Sequence, residues 1–425
     1  MKVFLETYGC NFNVVTSEIM AAILKNKGYQ LAKEEDAELV ILNTCAIKGE
    51  TERKTLKRIS ELKDSNKLVL VTGCLPELAK EKIEEINPEA SIVGLASTTY
   101  IADVVEKMKE GKQVIRLNDA PRSLVNLERV RINPITGHVL IAEGSNDNSR
   151  FSVERIAHGS LISYQPDAIM KDVLHALQNG AKEITLTALD VAAYGSDSSI
   201  SLPALLRKIH GIPGNFKVKL DQMQMKNILP ILDDLILSFN SPKIYRHLDL
   251  VLHSGSNKIL KEMNCGYTIE EFNLVVSAFR KKFPNMCLSM EIIVGWPGET
   301  DEEFQQTLDS LKMVKPDSIE VYPFVPRVGT QASKLQQIPS WKIKTRLTEV
   351  EHFAKQLMAE KNKQWENWAG DATVLEKTPL GCLARNFVYK PIYLPHGNLG
   401  DEVKVKVIET KEDHLVGQIV GYVKA

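Results

Sequence analysis

The sequence has no long apolar run. Nowhere do about 18 hydrophobic residues follow one another, so no ordinary transmembrane helix is expected. It has no surplus of either charge: a formal net charge of −1 over 425 residues excludes a general polycation and leaves only a local patch for nucleic-acid contact. It has no internal repeat and no low-complexity tract. The opening residues, Met1-Lys2-Val3-Phe4-Leu5-Glu6-Thr7, carry an early acid and no apolar secretory segment, so a cytoplasmic location is expected. Cysteine is sparse, at Cys10, Cys45, Cys74, Cys265, Cys287 and Cys382. In a cytosolic chain of this length that argues against a disulfide framework and for metal or catalytic use.

What is there is an ordinary globular composition, 44% hydrophobic and 25% charged. The length suggests about two to four domains. Residues 1–125 alternate strands (3–8, 37–43, 67–72) with helices (17–27, 50–63). That order predicts an α/β fold, a doubly wound domain with helices on both faces of a parallel sheet. Cys10, Cys45 and Cys74 each follow a strand and precede a helix. Ligands of open α/β sheets gather beyond the carboxyl ends of the strands. Three thiols far apart in sequence can therefore converge on one iron–sulfur site. The competing reading is three buried small side chains.

Residues 110–135 read as a connector, with a turn at Asp119-Ala120-Pro121-Arg122 and a basic extended stretch through Arg129 and Arg131. Residues 136–366 repeat a strand–helix rhythm in six units, which predicts a partial (β/α)6 barrel with its chemistry in the loops after the strands. Thr268-Ile269-Glu270-Glu271 has the form of a helix capping box. His158, Asp249, His253 and Glu291 are candidates for a carboxylate–imidazole set at the barrel mouth, weighed against scattered polar side chains. Cys265 and Cys287 read as packing residues and Cys382 as an exposed one. Residues 367–425 form short alternating strands, punctuated by glycine and proline, and predict a small five-stranded β-barrel. There Arg385, Phe387, Tyr389, Lys390 and Tyr393 interleave basic and aromatic groups, which suits phosphate contact and base stacking. An ordinary amphipathic strand is the alternative. Arg129, Arg131 and Arg155 extend the basic set.

These motifs, in this order, resemble the methylthiotransferases of the radical S-adenosylmethionine (SAM) superfamily over essentially the whole length. In the first domain they are Tyr8-Gly9-Cys10, Asn43-Thr44-Cys45-Ala46 and Gly73-Cys74. In the barrel they are His158-Gly159, Tyr194-Gly195, His253-Ser254-Gly255-Ser256 and Gly295-Trp296-Pro297-Gly298-Glu299-Thr300, followed by Ala384-Arg385-Asn386. Asn43-Thr44-Cys45-Ala46-Ile47-Lys48 and Leu232-Asp233-Asp234-Leu235-Ile236 are similar to the archaeal and eukaryotic branch. The resemblance implies a cluster domain (1–125), a radical SAM barrel (136–366) and an RNA-binding TRAM barrel (367–425). It implies two 4Fe-4S clusters and SAM as cofactors. The implied reaction adds a methylthio group to carbon 2 of N6-threonylcarbamoyladenosine beside the anticodon. The implied partner is a tRNA anticodon stem-loop, with no DNA and no membrane. Cys10, Cys45 and Cys74 would hold the N-terminal cluster.

The second cluster of that family needs three thiolates spaced C-x3-C-x2-C, its open iron binding SAM. The spacing is present here, filled by Ser145, Ser149 and Ser152. Thiolates are soft and readily deprotonated, whereas a serine hydroxyl is hard and stays neutral. The departures continue around the pocket. The family usually has Arg where His158 stands, a run ending in Gln-Asp-Thr where Ala188-Leu189-Asp190-Val191 stands, Pro-Val-Gln where Val251-Leu252-His253 stands, and a basic residue at Pro323. A zwitterionic sulfonium needs polar partners, and apolar side chains refill a pocket as an empty core prefers. The expectation is a family member in fold that has lost SAM chemistry, by nature or by engineering, while keeping one cluster and RNA binding. The alternatives are an active enzyme with serine ligation, and a barrel repurposed for a SAM-independent activity.

Overall fold

The computed structural model describes residues 1–47, 49–117 and 123–423; the turn expected at 119–122 lies outside them. The chain begins with β1 (Lys2–Thr7), α1 (Asn11–Asn26), β2 (Gln30–Leu31), β3 (Leu39–Thr44), α2 (Gly49–Lys63), β4 (Leu68–Gly73), α3 (Cys74–Ile86), β5 (Ser91–Val93), α4 (Ile101–Lys109) and β6 (Ile115–Arg116). The strands form one parallel sheet in the order β2-β1-β3-β4-β5-β6. Every residue of β3 is buried, as a strand covered on both faces requires. Chain order reverses between β1 and β3, and such a reversal opens a crevice at the carboxyl ends of the two strands.

The central part runs β7 (Thr136–Leu140), β8 (Ala142–Glu143), α5 (Glu154–His158), β9 (Ile162–Ser163), α6 (Pro166–Gln178), β10 (Glu183–Thr187), α7 (Leu202–His210), β11 (Lys217–Leu220), β12 (Met223–Gln224), α8 (Met225–Ile228) and α9 (Leu232–Ser238). It continues through β13 (His247–His253), α10 (Asn257–Met263), α11 (Ile269–Lys282), β14 (Cys287–Val294), α12 (Asp301–Val314), β15 (Ser318–Pro323) and α13 (Ser340–Asn362). Two parallel sheets, β11-β10-β7 and β12-β13-β14-β15, make an open barrel, linked by a bridge from Val218 to Ile244. The capping box at Thr268 forms with Glu271, and a second one joins Thr300 to Glu303 at the start of α12.

Helix α1 binds the two parts together. One side, with Met20 and Leu24, packs on its own sheet, and the other, with Phe12, Val15 and Ile19, joins the barrel core beside Val139 and Leu140. Val15 and Ile19 are fully buried, each contributing about 1.5–3 kcal/mol.

The last part, β16 (Ala369–Thr378), β17 (Gly381–Asn386), β18 (Pro391–Leu394), β19 (Glu402–Thr410) and β20 (Leu415–Tyr422), closes into a barrel in the order β16-β17-β18-β20-β19. Cys382, expected to be exposed, is buried instead: β17 points it inward, and its thiol donates to the His396 carbonyl at 3.2 Å. Among the described residues no helix is long and apolar enough to cross a membrane.

Candidate functional site

Three strand ends in a row carry the three thiols. Cys10 is the N-cap of α1, Cys45 follows β3, and Cys74 is the first residue of α3. The turns that bring them together depend on glycine. Gly9, at φ +98°, lies so close to Cys45 that a Cβ would meet the Cys45 Cβ at 2.5 Å. Gly73 has φ 96° and ψ −153°, a region essentially reserved for glycine, and a Cβ there would lie 2.3 Å from the Thr44 carbonyl oxygen. Asn13 braces the turns, its Nδ2 donating to the carbonyls of Tyr8 (2.7 Å) and Thr44 (3.0 Å).

The thiols also feel one another. Cys10 opens to solvent in a cleft, yet the protein crowded around it, with Cys45 beside it, pushes its thiol up to about 11. Burial raises Cys74 well above the ordinary value, and Cys45 and Cys10 add to that. Backbone N–H groups of Phe12 and Asn13 favour the Cys10 thiolate, and that of Ala46 favours Cys74. Among the described residues no group of three His, Cys, Asp or Glu side chains is gathered to hold a metal ion.

Beyond Cys10 and Cys45 lies a cavity of about 400 Å³ shared with the barrel, where Lys219, Asp221, Asp249 and Glu291 line it. A second, of about 640 Å³, holds Ser152, His253, Pro323 and Arg327. Ile47, Glu154, Gln222 and Glu291 line both, so the two form one cleft. Asn11 donates from Nδ2 to both Asp221 oxygens, at 3.0 and 2.8 Å, and Arg327 pairs with Glu52 across the same boundary. Burial works against the Asp221 charge, but Lys219 at 2.9 Å and Asn11 keep its carboxyl below the usual range.

The serine loop lies between β8 and α5, and its hydroxyls are engaged internally. Ser145 is buried and donates to Glu154 Oε2 at 2.8 Å. Ser149 donates to Asp147 Oδ2 at 2.7 Å, and Ser152 Oγ accepts the Glu154 N–H at 3.2 Å. Asp147 pairs with Lys226 at 3.2 Å; burial opposes its charge, but Lys226 and Ser149 hold the carboxyl below its ordinary value. Burial, then the Asp147 charge, pushes Glu154 up to about 8. Hard neutral oxygens in a closed hydrogen-bond network do not fit an iron–sulfur cluster. Sequence reasoning misses Asp147 and Lys226. Asp147 stands among the serines in sequence, whereas Lys226 arrives from a distant helix. Of the apolar replacements, Leu189 lines the first cavity and Val191 is fully buried in the barrel core.

Of the four polar candidates of the barrel mouth, three line the shared cleft and His158 does not. Asp249 and Glu291 share the first cavity, and Glu291 shares the second with His253. His158, carried away by α5, meets Cys74 Sγ at 3.2 Å and the edge of Phe12. Burial, most of all, lifts Asp249 to about 7 and lowers His253 to about 4. His253 Nδ1 is taken up by the Tyr267 hydroxyl at 3.2 Å.

The expected basic–aromatic patch turns partly inward, with Lys390 buried and Arg385, Phe387 and Tyr389 half-buried. Lys390 is 3% exposed and faces Asp317 at 3.6 Å. Arg385 stacks on Tyr389, which packs against Tyr245 and His247 of the barrel, and the Phe387 carbonyl accepts the Arg246 N–H at 3.1 Å. Arg129 pairs with Asp172 at 2.6 Å, and Arg131 donates to the Ala176 carbonyl. Part of the pattern that read as a nucleic-acid face therefore lies in a seam between the small barrel and the large one. Arg155 and Tyr393 remain exposed.

Comparison with known proteins agrees with this architecture. Residues 2–94 match the family described as "Uncharacterized protein family UPF0004". In fold the chain is similar to the radical S-adenosylmethionine methyltransferase TsrM from Kitasatospora setae, at 14% identity and a TM-score of 0.53 over 76% of this chain and 72% of that one. The threonylcarbamoyladenosine tRNA methylthiotransferase of Homo sapiens is 29% identical over 434 residues, covering 100% of this chain and 75% of that protein. A probable threonylcarbamoyladenosine tRNA methylthiotransferase of Pyrococcus abyssi is 37% identical over 426 residues, covering 99% of this chain and 100% of that one. Similarity of this degree, over this length, means that the chain belongs to the threonylcarbamoyladenosine tRNA methylthiotransferase family.

Proposed function

We propose that this member keeps the family fold and tRNA binding but does not cleave SAM. One 4Fe-4S cluster is held by Cys10, Cys45 and Cys74, and none by Ser145, Ser149 and Ser152. The observation that carries this reading is the engagement of all three serine oxygens with Glu154, Asp147 and the backbone, around the Asp147–Lys226 pair. The thiol site is supported by the opposite traits: soft donors on adjacent strand ends, opening on a cleft and supplied with N–H groups. Such a cluster supplies electron transfer and an iron that binds sulfur. The domains divide at 1–125, 136–366 and 367–425.

With the Arg385 face partly covered and Lys390 buried, tRNA meets the outer face of β19 and β20. Lys404, Lys406, Val420 and Tyr422 are exposed there, offering phosphate contacts and one aromatic surface. The anticodon stem-loop is the expected ligand, and its modified adenosine would enter the shared cleft.

The test is anaerobic reconstitution with iron counted per chain, followed by incubation with SAM and dithionite. About four irons, lost on replacing Cys10, Cys45 and Cys74, and no 5′-deoxyadenosine are expected. About eight irons with SAM cleavage would overturn the reading.

A further inference from the structure

One hydrogen-bond partner of the thiol site comes from outside its own domain. His158 closes the five-residue helix α5, and its Nε2 lies 3.2 Å from Cys74 Sγ. The position is well supported. Ala157 packs into the N-terminal core beside Cys74 and Leu75, and the imidazole stands edge-on to Phe12 at 5.0 Å. Phe12 lies two residues after Cys10, so the ring is wedged between the turns carrying Cys10 and Cys74.

The distance and the atoms define the interaction. Nitrogen to sulfur at 3.2 Å is hydrogen-bond distance, and with Cys74 as a cluster-bound thiolate, which can only accept, the proton belongs on Nε2. Phe12, Asn13 and Ala46 serve these sulfurs with backbone groups of the N-terminal domain. His158 is a side chain from the barrel. Hydrogen bonds to cluster sulfurs help to set the potential of an iron–sulfur centre, because they stabilise the more negative, reduced state. The same short helix begins at Glu154, which accepts the Ser145 hydroxyl. One turn of helix therefore connects the serine loop to the thiol site.

We propose that His158 is a positioning residue that donates an Nε2–H···S hydrogen bond to the Cys74 thiolate and raises the reduction potential of the N-terminal cluster. This rests on the reading that Cys10, Cys45 and Cys74 carry a cluster. Full-length protein and the His158→Phe and His158→Gln variants are reconstituted anaerobically, iron is counted, and the one-electron couple is titrated with dithionite under EPR. Phenylalanine keeps the ring contact with Phe12 but cannot donate; glutamine can. The expected result is equal iron in all three, a more negative midpoint for His158→Phe, and a midpoint nearer the parent for His158→Gln. An unchanged midpoint in His158→Phe with iron retained overturns the proposal and leaves the cluster reading intact. Loss of iron in both variants, or a strong nitrogen coupling in pulsed EPR of the parent, also overturns it by making His158 structural or a direct ligand. No iron in the parent overturns the cluster reading itself, and this proposal with it.

Discussion

Asp147 Oδ1 lies 3.2 Å from Lys226 Nζ, and this pair anchors the loop that the three serines span. Asp147 also accepts the Ser149 hydroxyl and N–H, so one carboxylate organises both the charge and the backbone of the loop. Replacing Lys226 by Met leaves that carboxylate, only 8% exposed, without its counter-charge. Breaking a buried pair from one side costs about 3–5 kcal/mol, and the partial exposure of Lys226 reduces this to about 2. Lys226→Met should lose about that much stability in urea unfolding. Asp147→Asn combined with Lys226→Met should lose less, because no charge is stranded.

Restoring Ser145, Ser149 and Ser152 to Cys supplies the missing soft donors and should raise bound iron above that of the parent. It also removes the bonds to Glu154 and Asp147 and leaves Leu189, Val191 and Pro323 in place. SAM turnover should therefore stay well below that of an active relative assayed alongside. Full turnover in the triple variant, read as 5′-deoxyadenosine formed per cluster, would show that the apolar replacements do not matter.

Glu183 offers a pH test away from the thiols. Burial, partly offset by Lys219, lifts its carboxyl from 4.5 to about 7. Below 4.5 both states hold the proton and the contribution is fully present. Between 4.5 and about 7 the unfolded chain has released the proton while the folded one keeps it, so stability declines with rising pH. The slope is about 1.4 kcal/mol per pH unit, and above the folded value it vanishes. Glu183→Gln should flatten that decline, seen as a gain over the parent in urea unfolding at about pH 7.5 relative to about pH 5. Parallel pH profiles would remove Glu183 as its source.

Sequence pattern carries the strand ends well. Cys10, Cys45 and Cys74 are legible because position after a strand is a local property, and a parallel sheet gathers such positions at one edge. The capping box at Thr268 is legible for the same reason. What fails depends on which surface another domain covers. Alternation shows that Arg385, Tyr389 and Lys390 belong to a strand end with mixed character, but only the docked barrel decides that Asp317 and His247 meet them. Proximity in sequence groups His158 with barrel residues, whereas α5 carries it across the boundary to Cys74.

Burial of Lys390 has a measurable consequence for tRNA binding. Lys404 and Lys406 are exposed, and Lys404 pairs with the exposed Asp371. Replacing both by Ala should weaken binding of an anticodon stem-loop and lower the magnitude of the salt slope by about 1 for each phosphate no longer neutralised. Lys390→Met should lower stability, because Asp317 is left buried, but leave the affinity of the folded protein unchanged. The reverse pattern in a filter-binding salt series would return the RNA face to Arg385 and Lys390.

The geometry at Gly73 makes the sharpest test of the thiol site, because a second glycine serves as its control. Gly28 has φ +86° and nothing within 4 Å of where a Cβ would stand, so Gly28→Ala meets only backbone strain of about 1–2 kcal/mol. Gly73 has a comparable φ, yet an added methyl would strike the Thr44 carbonyl oxygen at 2.3 Å and the Thr44 nitrogen at 2.6 Å. Backbone cannot rotate out of the way as a side chain can, so the turn between β4 and Cys74 must move. Gly73→Ala should cost more than Gly28→Ala and also lower the iron bound after reconstitution, because Cys74 is the next residue and shifts with the turn. Equal losses of stability with full iron retention in both would mean that the thiol site tolerates displacement of Cys74.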